Sequence, residues 1–299
     1  MKSLVVIMYL ISVLYVHLRG RVRLSWWRQL LNHSTLMAPV NAFVQAWSKA
    51  PGTPYIPLDT LPELAPLQLN WRAIRAEAEQ LMALKRQGGG EDSGDPNFDA
   101  FARHGWGHFY LKWYGVVHAS ARRLCPHTFA LLQAIPSVKV ATFAELPPGA
   151  RIAPHRDLFA GWVRYHLGLA TPGDDSCYIM VDGRRHRWSD GRAMIFDETY
   201  LHWAVNDSPQ GRLILVCDVE RPMRHRWAQA LSHLLGRTLM TATSPPHEAG
   251  AERGLGAGLS RGMIRLGHYR RRLKAWNRSA YRATLIAAGL GLGALVYWL

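Results

Sequence analysis

Between residues 138 and 219 the chain is divided into short apolar or alternating runs, and this texture restricts the fold before any chemistry is considered. The runs are Val138 to Leu146, Trp162 to Ala170, Tyr178 to Val181, Ala193 to Phe196, His202 to Val205 and Leu213 to Val219. Turn-formers separate them: PPG at 147 to 149, TPGDD at 171 to 175, DG at 182 to 183, SDG at 189 to 191 and NDSPQG at 206 to 211. Short strands punctuated in this way predict a β-sandwich or jelly roll.

The preceding segment has a helical texture. Residues 71 to 87 are rich in Ala, Glu, Leu, Arg and Lys and run into Gly88, Gly89 and Gly90, which predicts a helix and its stop. The EDSGDPN stretch reads as a loop, 109 to 114 as an aromatic strand, and 119 to 135 as one helix closed before Pro136. The expected class is therefore mainly β with flanking helices. No internal repeat is present.

With 299 residues, 48% of them hydrophobic, the chain can bury a large core and is not intrinsically disordered. Its formal charge of +15 calls for an anionic partner: nucleic acid, an acidic lipid surface or a phosphorylated substrate. Cys125, Cys177 and Cys217 are odd in number and widely spaced, so they predict reduced core thiols rather than a disulfide framework or a zinc site. A reducing, cytosolic setting follows.

Both ends are apolar. Residues 1 to 20 read as an uncleaved transmembrane anchor, because Arg19, Arg21, Arg23 and Arg28 follow in place of a small-residue cleavage pattern. Residues 283 to 299 read as a second anchor after a basic, partly helical connector spanning 223 to 282. Positive charge inside both runs places the intervening chain in the cytoplasm. Gly289 and Gly293 have a spacing that lets terminal helices pair. Residues 21 to 60 form a basic juxtamembrane segment. In it Leu36, Met37, Val40, Phe43, Val44 and Trp47 recur at helical spacing, open to either a core or an interfacial reading.

The chemistry is carried by His155, Asp157 and His202. On an extended strand the side chains of His155 and Asp157 share a face, while His202 returns on a later strand toward the same mouth. Two imidazoles and one carboxylate suit a non-haem Fe(II) centre, with open positions for co-substrate and O2. Ten residues later Arg212 opens the strand RLILVCDV, with Ile214 and Val216 on its own face. A guanidinium there needs an anion, and the far carboxylate of 2-oxoglutarate would provide one. Arg164 and His166 share another strand face and offer further donors. The competing reading pairs Arg164 with a local acid such as Asp174 or Asp175.

The segments PPGARIAPHRD, VRYHLGLATP, MIFDETYLHWA and RLILVCDVERP together resemble the aspartyl/asparaginyl β-hydroxylase family of 2-oxoglutarate dioxygenases, over roughly residues 138 to 222. The resemblance implies a double-stranded β-helix within a domain of residues 61 to 222. It also implies His155 and His202 as iron ligands, and Arg212, Arg164 and His166 around 2-oxoglutarate. Asp157 stands where the animal peptidyl members carry glycine, and Ala144 where they carry a serine that contacts the co-substrate. HLRGRVR, APVNAFVQAWSKAPGTPY and FYLKWYG extend the similarity to the bacterial lipid A 2-hydroxylase branch. That branch implies hydroxylation at C2 of a secondary acyl chain of lipid A, at the cytoplasmic face of the inner membrane beside anionic headgroups.

Rival readings differ in class. A peptidyl aspartyl or asparaginyl hydroxylase needs only the barrel and leaves both apolar ends unused. A non-catalytic, membrane-anchored jelly roll that binds lipid accounts for the charge but not for the His, Asp and Arg pattern. A zinc hydrolase shares the ligand types, yet the chain has no HExxH and gives Arg212 no role. No nucleic-acid module is present, since KWYG lacks the rest of an RNP motif.

Overall fold

The computed structural model describes residues 2–30, 32–86, 108–114 and 118–243, with isolated positions between 272 and 284. The helices are α1 (Lys2–Leu18), α2 (Trp26–Leu30), α3 (His33–Leu36), α4 (Ala38–Ala46), α5 (Ala65–Leu69), α6 (Trp71–Arg86), α7 (Ala119–Leu124), α8 (Pro126–Gln133) and α9 (Arg226–Thr243). The strands are β1 (Tyr55–Ile56), β2 (His108–Trp113), β3 (Val138–Leu146), β4 (Arg151–His155), β5 (Trp162–Ala170), β6 (Cys177–Val181), β7 (Arg184–Arg187), β8 (Ala193–Phe196), β9 (His202–Asn206) and β10 (Arg212–Glu220).

Two antiparallel sheets result, one in the order β1-β8-β5-β10-β3-β2 and the other β4-β9-β6-β7. From β3 onward the chain steps back and forth between them, which is the winding of a double-stranded β-helix. Ala144, Ile179, Val181, Trp188, Met194, Phe196, Ala204 and Ile214 fill the space between the sheets. The opposite face of the six-stranded sheet is also buried. Leu213, Leu215, Cys217, Val163, Tyr165 and Leu167 meet Leu67, Ile74, Ala78 and Leu81 of α5 and α6 and Leu132 of α8. Burial on both faces explains why β5 and β10 read as nearly continuous apolar runs. Residues Asp182 and Gly183, both at positive φ, make the two-residue hairpin turn between β6 and β7, a conformation that Asp-Gly adopts readily.

The helix expected over 119 to 135 is two. Cys125 is non-helical at φ −135°, ψ 55°, because the ring of Pro126 excludes the helical conformation from the residue before it. Pro126 then starts α8, where its missing N–H costs nothing. The strand β7 had no sequence signal, since RRHR carries no apolar alternation. The cysteines are free and buried, as expected.

The stripe from Met37 to Trp47 is core: Val44 is buried with Phe159, Ala160, Trp162 and Met223, and Met37, Val40, Phe43 and Trp47 pack against that cluster. Leu36 is exposed. Among the described residues no helix is long and apolar enough to cross a membrane. The 17 residues of α1 extend about 25 Å, against a hydrocarbon core of about 30 Å. Apart from Thr284, the second expected anchor and the Gly289 and Gly293 pairing lie outside the described residues.

Candidate metal centre

The site begins with an irregularity in β4. Ile152 lies opposite Ala204, but His155, not Pro154, lies opposite His202, so β4 carries one residue more than β9 over that interval. The bulge reverses the alternation and turns His155 to the side that His202 occupies. Pro154 is tolerated because β4 is an edge strand. The sequence reading placed His155 and Asp157 together on one strand; instead His155 ends β4 and Asp157 follows it in the loop. Asp157 is fixed by its N–H, which donates to the Glu198 carbonyl at 2.9 Å, and by its carboxylate, 2.8 Å from Nη1 of Arg164.

His155, Asp157 and His202 converge, each offering a ligand atom within 4.8 Å of the others. The imidazole centroids are 4.2 Å apart, and His155 Nε2 lies 3.7 Å from Asp157 Oδ1. Each histidine uses Nδ1–H to donate to a backbone carbonyl: His155 to Ala153 at 2.8 Å and His202 to Tyr200 at 2.9 Å. Those bonds fix the tautomer and leave each Nε2 lone pair for a metal. Burial lowers the His202 pKa to about 4, despite the opposing pull of Asp157, so the ring is neutral at physiological pH. Burial raises the Asp157 carboxyl, but Arg164 and His202 outweigh it and hold the pKa at about 2. Two imidazole Nε2 atoms beside a charged carboxylate are the donor set that Fe(II) accepts.

Arg164 corrects the sequence reading. It was expected beside 2-oxoglutarate, or paired with Asp174 or Asp175. Its three nitrogens instead face three other acids: Nη1 Asp157 at 2.8 Å, Nη2 Glu198 at 2.7 Å and Nε Asp218 at 2.9 Å. Glu198 and Asp218 had not been singled out by sequence, because they come from the turn after β8 and from β10 and meet only in the folded barrel. Burial pushes the Glu198 carboxyl well above its usual range against the pull of Arg164, with Asp157 and Asp218 adding to the rise, and a side-chain hydrogen bond joins Glu198 to Asp157.

Arg212 is the opposite case. It is 3% exposed, its Nε has no hydrogen-bond partner, and among the described residues no acid forms an ion pair with it. Its guanidinium lies over the Trp188 ring at 4.3 Å. Burial lowers its pKa to about 10, and it remains a cation. His166 accepts a 3.3 Å hydrogen bond from Trp188 Nε1 through Nδ1, which puts its own proton on Nε2. Burial, and then the charges of Arg212 and Arg164, hold His166 neutral. Ring contacts run from His202 to Phe196 at 5.5 Å, to His166 at 5.0 Å and to Trp188 at 6.1 Å. The metal cluster and the unpaired arginine thus belong to one interior. An orphaned buried guanidinium fits the far carboxylate of a keto acid. Trp188, which joins Arg212 to His166, gave no sequence signal beyond being an aromatic after β7.

The jelly roll thus gathers one His, Asp and His cluster that could hold a metal ion. A sequence model of the aspartyl/asparaginyl β-hydroxylases matches residues 68–222. The chain belongs to that family. It is 32% identical over 187 residues to the ornithine lipid ester-linked acyl 2-hydroxylase of Rhizobium tropici, covering 60% of this chain and 64% of that protein. It is 28% identical over 211 residues to the mouse aspartyl/asparaginyl beta-hydroxylase, covering 69% of this chain but 26% of that protein. The chain thus spans less than two thirds of the length of these relatives.

Proposed function

We propose that this chain is an Fe(II)- and 2-oxoglutarate-dependent hydroxylase that acts at C2 of an acyl chain of a membrane lipid, with lipid A as substrate, at the cytoplasmic face of the inner membrane. The observation that carries the reaction class is the convergence of two fixed Nε2 atoms and the Asp157 carboxylate near a buried arginine that pairs with no acid among the described residues. His155, Asp157 and His202 would hold the metal, which when bound supplies the O2 chemistry for oxidising an unactivated C–H bond. Arg212 binds the far carboxylate of the co-substrate, Trp188 holds that guanidinium in place, and the Nε2–H of His166 is a donor facing the same interior. Arg164 and Glu198 keep Asp157 charged and oriented. The apolar lining of Phe196, Met194 and Ile214 excludes water.

A lipid substrate is favoured over a peptide by the position of α1. Arg156, between two of the ligand residues, donates to the Val16 carbonyl at 3.1 Å. Arg19 donates to Thr199, three residues before His202, at 2.8 Å. The end of an apolar helix thus sits against the wall of the metal site. The Rhizobium relative favours a second substrate, an ornithine lipid, through the same chemistry. Mass spectrometry of lipids from cells with and without the protein decides: one added oxygen on a lipid A acyl fragment supports the first reading, the same gain on an aminoacyl lipid the second. Oxygen gained only by a protein overturns both.

A further inference from the structure

Helix α9 buries one face and exposes another, and both are apolar. Ala228 and Ser232 are buried against the barrel, Leu235 and Leu239 pack in the same cluster, and Gly236 lies so close to Trp162 that a methyl group would be 3.2 Å from its ring. On the outer face Trp227, Leu231 and Leu234 are 52%, 40% and 60% exposed and follow one another at i, i+4 and i+7. Ala230 lies in the same stripe and is also exposed. A run of large apolar side chains outward on a well-packed helix marks a contact surface.

Its composition says which. Arg226 and Arg237 flank the stripe, and the helix contains no Asp or Glu. Trp227 stands edge-on to Trp47 at 5.0 Å, with Phe43 at 5.9 Å. Tryptophan and arginine beside a leucine stripe are what an in-plane helix places at headgroup depth. The stripe is also linked to α1, because α4 touches both: its Phe43 reaches Trp227, and α4 also packs on α1. Leu4, Met8 and Ile11 of α1 are exposed, as are Trp26, Trp27 and Leu30 of α2.

We propose that α9 is a membrane-interface helix whose Trp227, Leu231 and Leu234 face lies in the surface of an anionic bilayer. It acts with α1 to seat the barrel on the lipid from which the substrate comes. The partner is named on the lipid-hydroxylase reading, and the test separates the two. The full chain is labelled with a nitroxide at Leu234→Cys, and separately at Ile11→Cys, on vesicles of phosphatidylcholine with and without phosphatidylglycerol. The native cysteines are buried, which keeps the label at the new site. The expected result is a Leu234 label that collides with lipid-dissolved oxygen in preference to an aqueous nickel chelate. A Leu231→Asp/Leu234→Asp chain should lose about tenfold or more in partition to phosphatidylglycerol vesicles. An aqueous Leu234 label beside a lipid-exposed Ile11 label overturns the α9 proposal and leaves membrane seating by α1 intact. Spin–spin broadening at Leu234 overturns it in favour of a second copy of this chain. Hydroxylation of a soluble protein alone would sink the lipid reading whatever the labels report.

Discussion

Arg164 and Arg212 stand on neighbouring strands with the same charge and opposite surroundings. Three acids face the first and, among the described residues, none pairs with the second. Their substitution should therefore separate two kinetic quantities. Arg212→Lys loses the planar fork, and the KM for 2-oxoglutarate should rise roughly tenfold to a hundredfold with metal affinity unchanged. Arg164→Lys should lower metal affinity by roughly tenfold to a hundredfold, leaving the co-substrate KM within about twofold once metal is saturating. Metal titration by calorimetry and steady-state kinetics read both, and an Arg164→Lys enzyme changed only in co-substrate KM would return that residue to its sequence-based role. Metal should also stabilise the fold: Mn(II) at a hundred times its Kd adds about 2.7 kcal/mol. The rise in Tm should vanish in His202→Ala. The convergence of His155, Asp157 and His202 was legible because imidazole and carboxylate are the donor types that such a metal site requires. The acids that Arg164 pairs with were not legible, because Glu198 and Asp218 lie 34 and 54 residues away in the chain rather than at Asp174 or Asp175, and charge alone does not say which cation an acid will reach.

The turn between β8 and β9 is held by an ion cluster at its first residue. Asp197 is fully buried and faces Arg19 at 2.5 Å and Arg221 at 2.8 Å, and it accepts from Gln45 of α4 at 3.1 Å. One carboxylate thus ties the segment after α1, helix α4 and the end of the barrel to the loop that delivers His202. Burial raises its pKa, but Arg221, Arg19 and the Thr199 hydroxyl prevail and hold it well below the usual carboxylate range. Asp197→Asn leaves the buried Arg221 and the partly buried Arg19 short of a counter-charge and should cost about 3–5 kcal/mol of stability in urea unfolding. A depressed carboxyl stabilises the fold above its unfolded pKa of 3.8 and loses that contribution as pH falls toward its folded value. The gap in Tm between the wild type and Asp197→Asn should therefore narrow progressively as pH falls below 3.8; a constant gap across the acid range would contradict the role. At this scale the short apolar runs announced themselves, whereas β7, with four polar residues, and the bulge at Pro154 did not. Both are fixed by what pairs across from them, which periodicity cannot report.

For the whole molecule, the buried charges of the described residues nearly cancel, with Lys112, Arg156, Arg212 and Arg221 against Asp182, Asp197 and Glu198, so the interior does not hold the excess behind the formal charge of +15. Asp157, Asp197, Glu198 and Asp218 are turned inward and spent on Arg164, Arg19 and Arg221. Meanwhile the apolar side chains of α1, α2 and α9 face outward. A body with excess cation and exposed apolar helices should bind an anionic bilayer through two contributions that salt separates. Exposed charges are screened over about 10 Å at 0.1 M salt and about 3 Å at 1 M, while apolar insertion is not screened. Partition of the full chain to phosphatidylglycerol vesicles should therefore fall by about tenfold or more between 0.1 M and 1 M sodium chloride and then level off. On phosphatidylcholine alone it should stay near that plateau throughout. Flotation at each salt concentration measures this directly. Binding that disappears entirely at high salt would assign attachment to charge alone, and the exposed leucines of α1 and α9 would then need another partner.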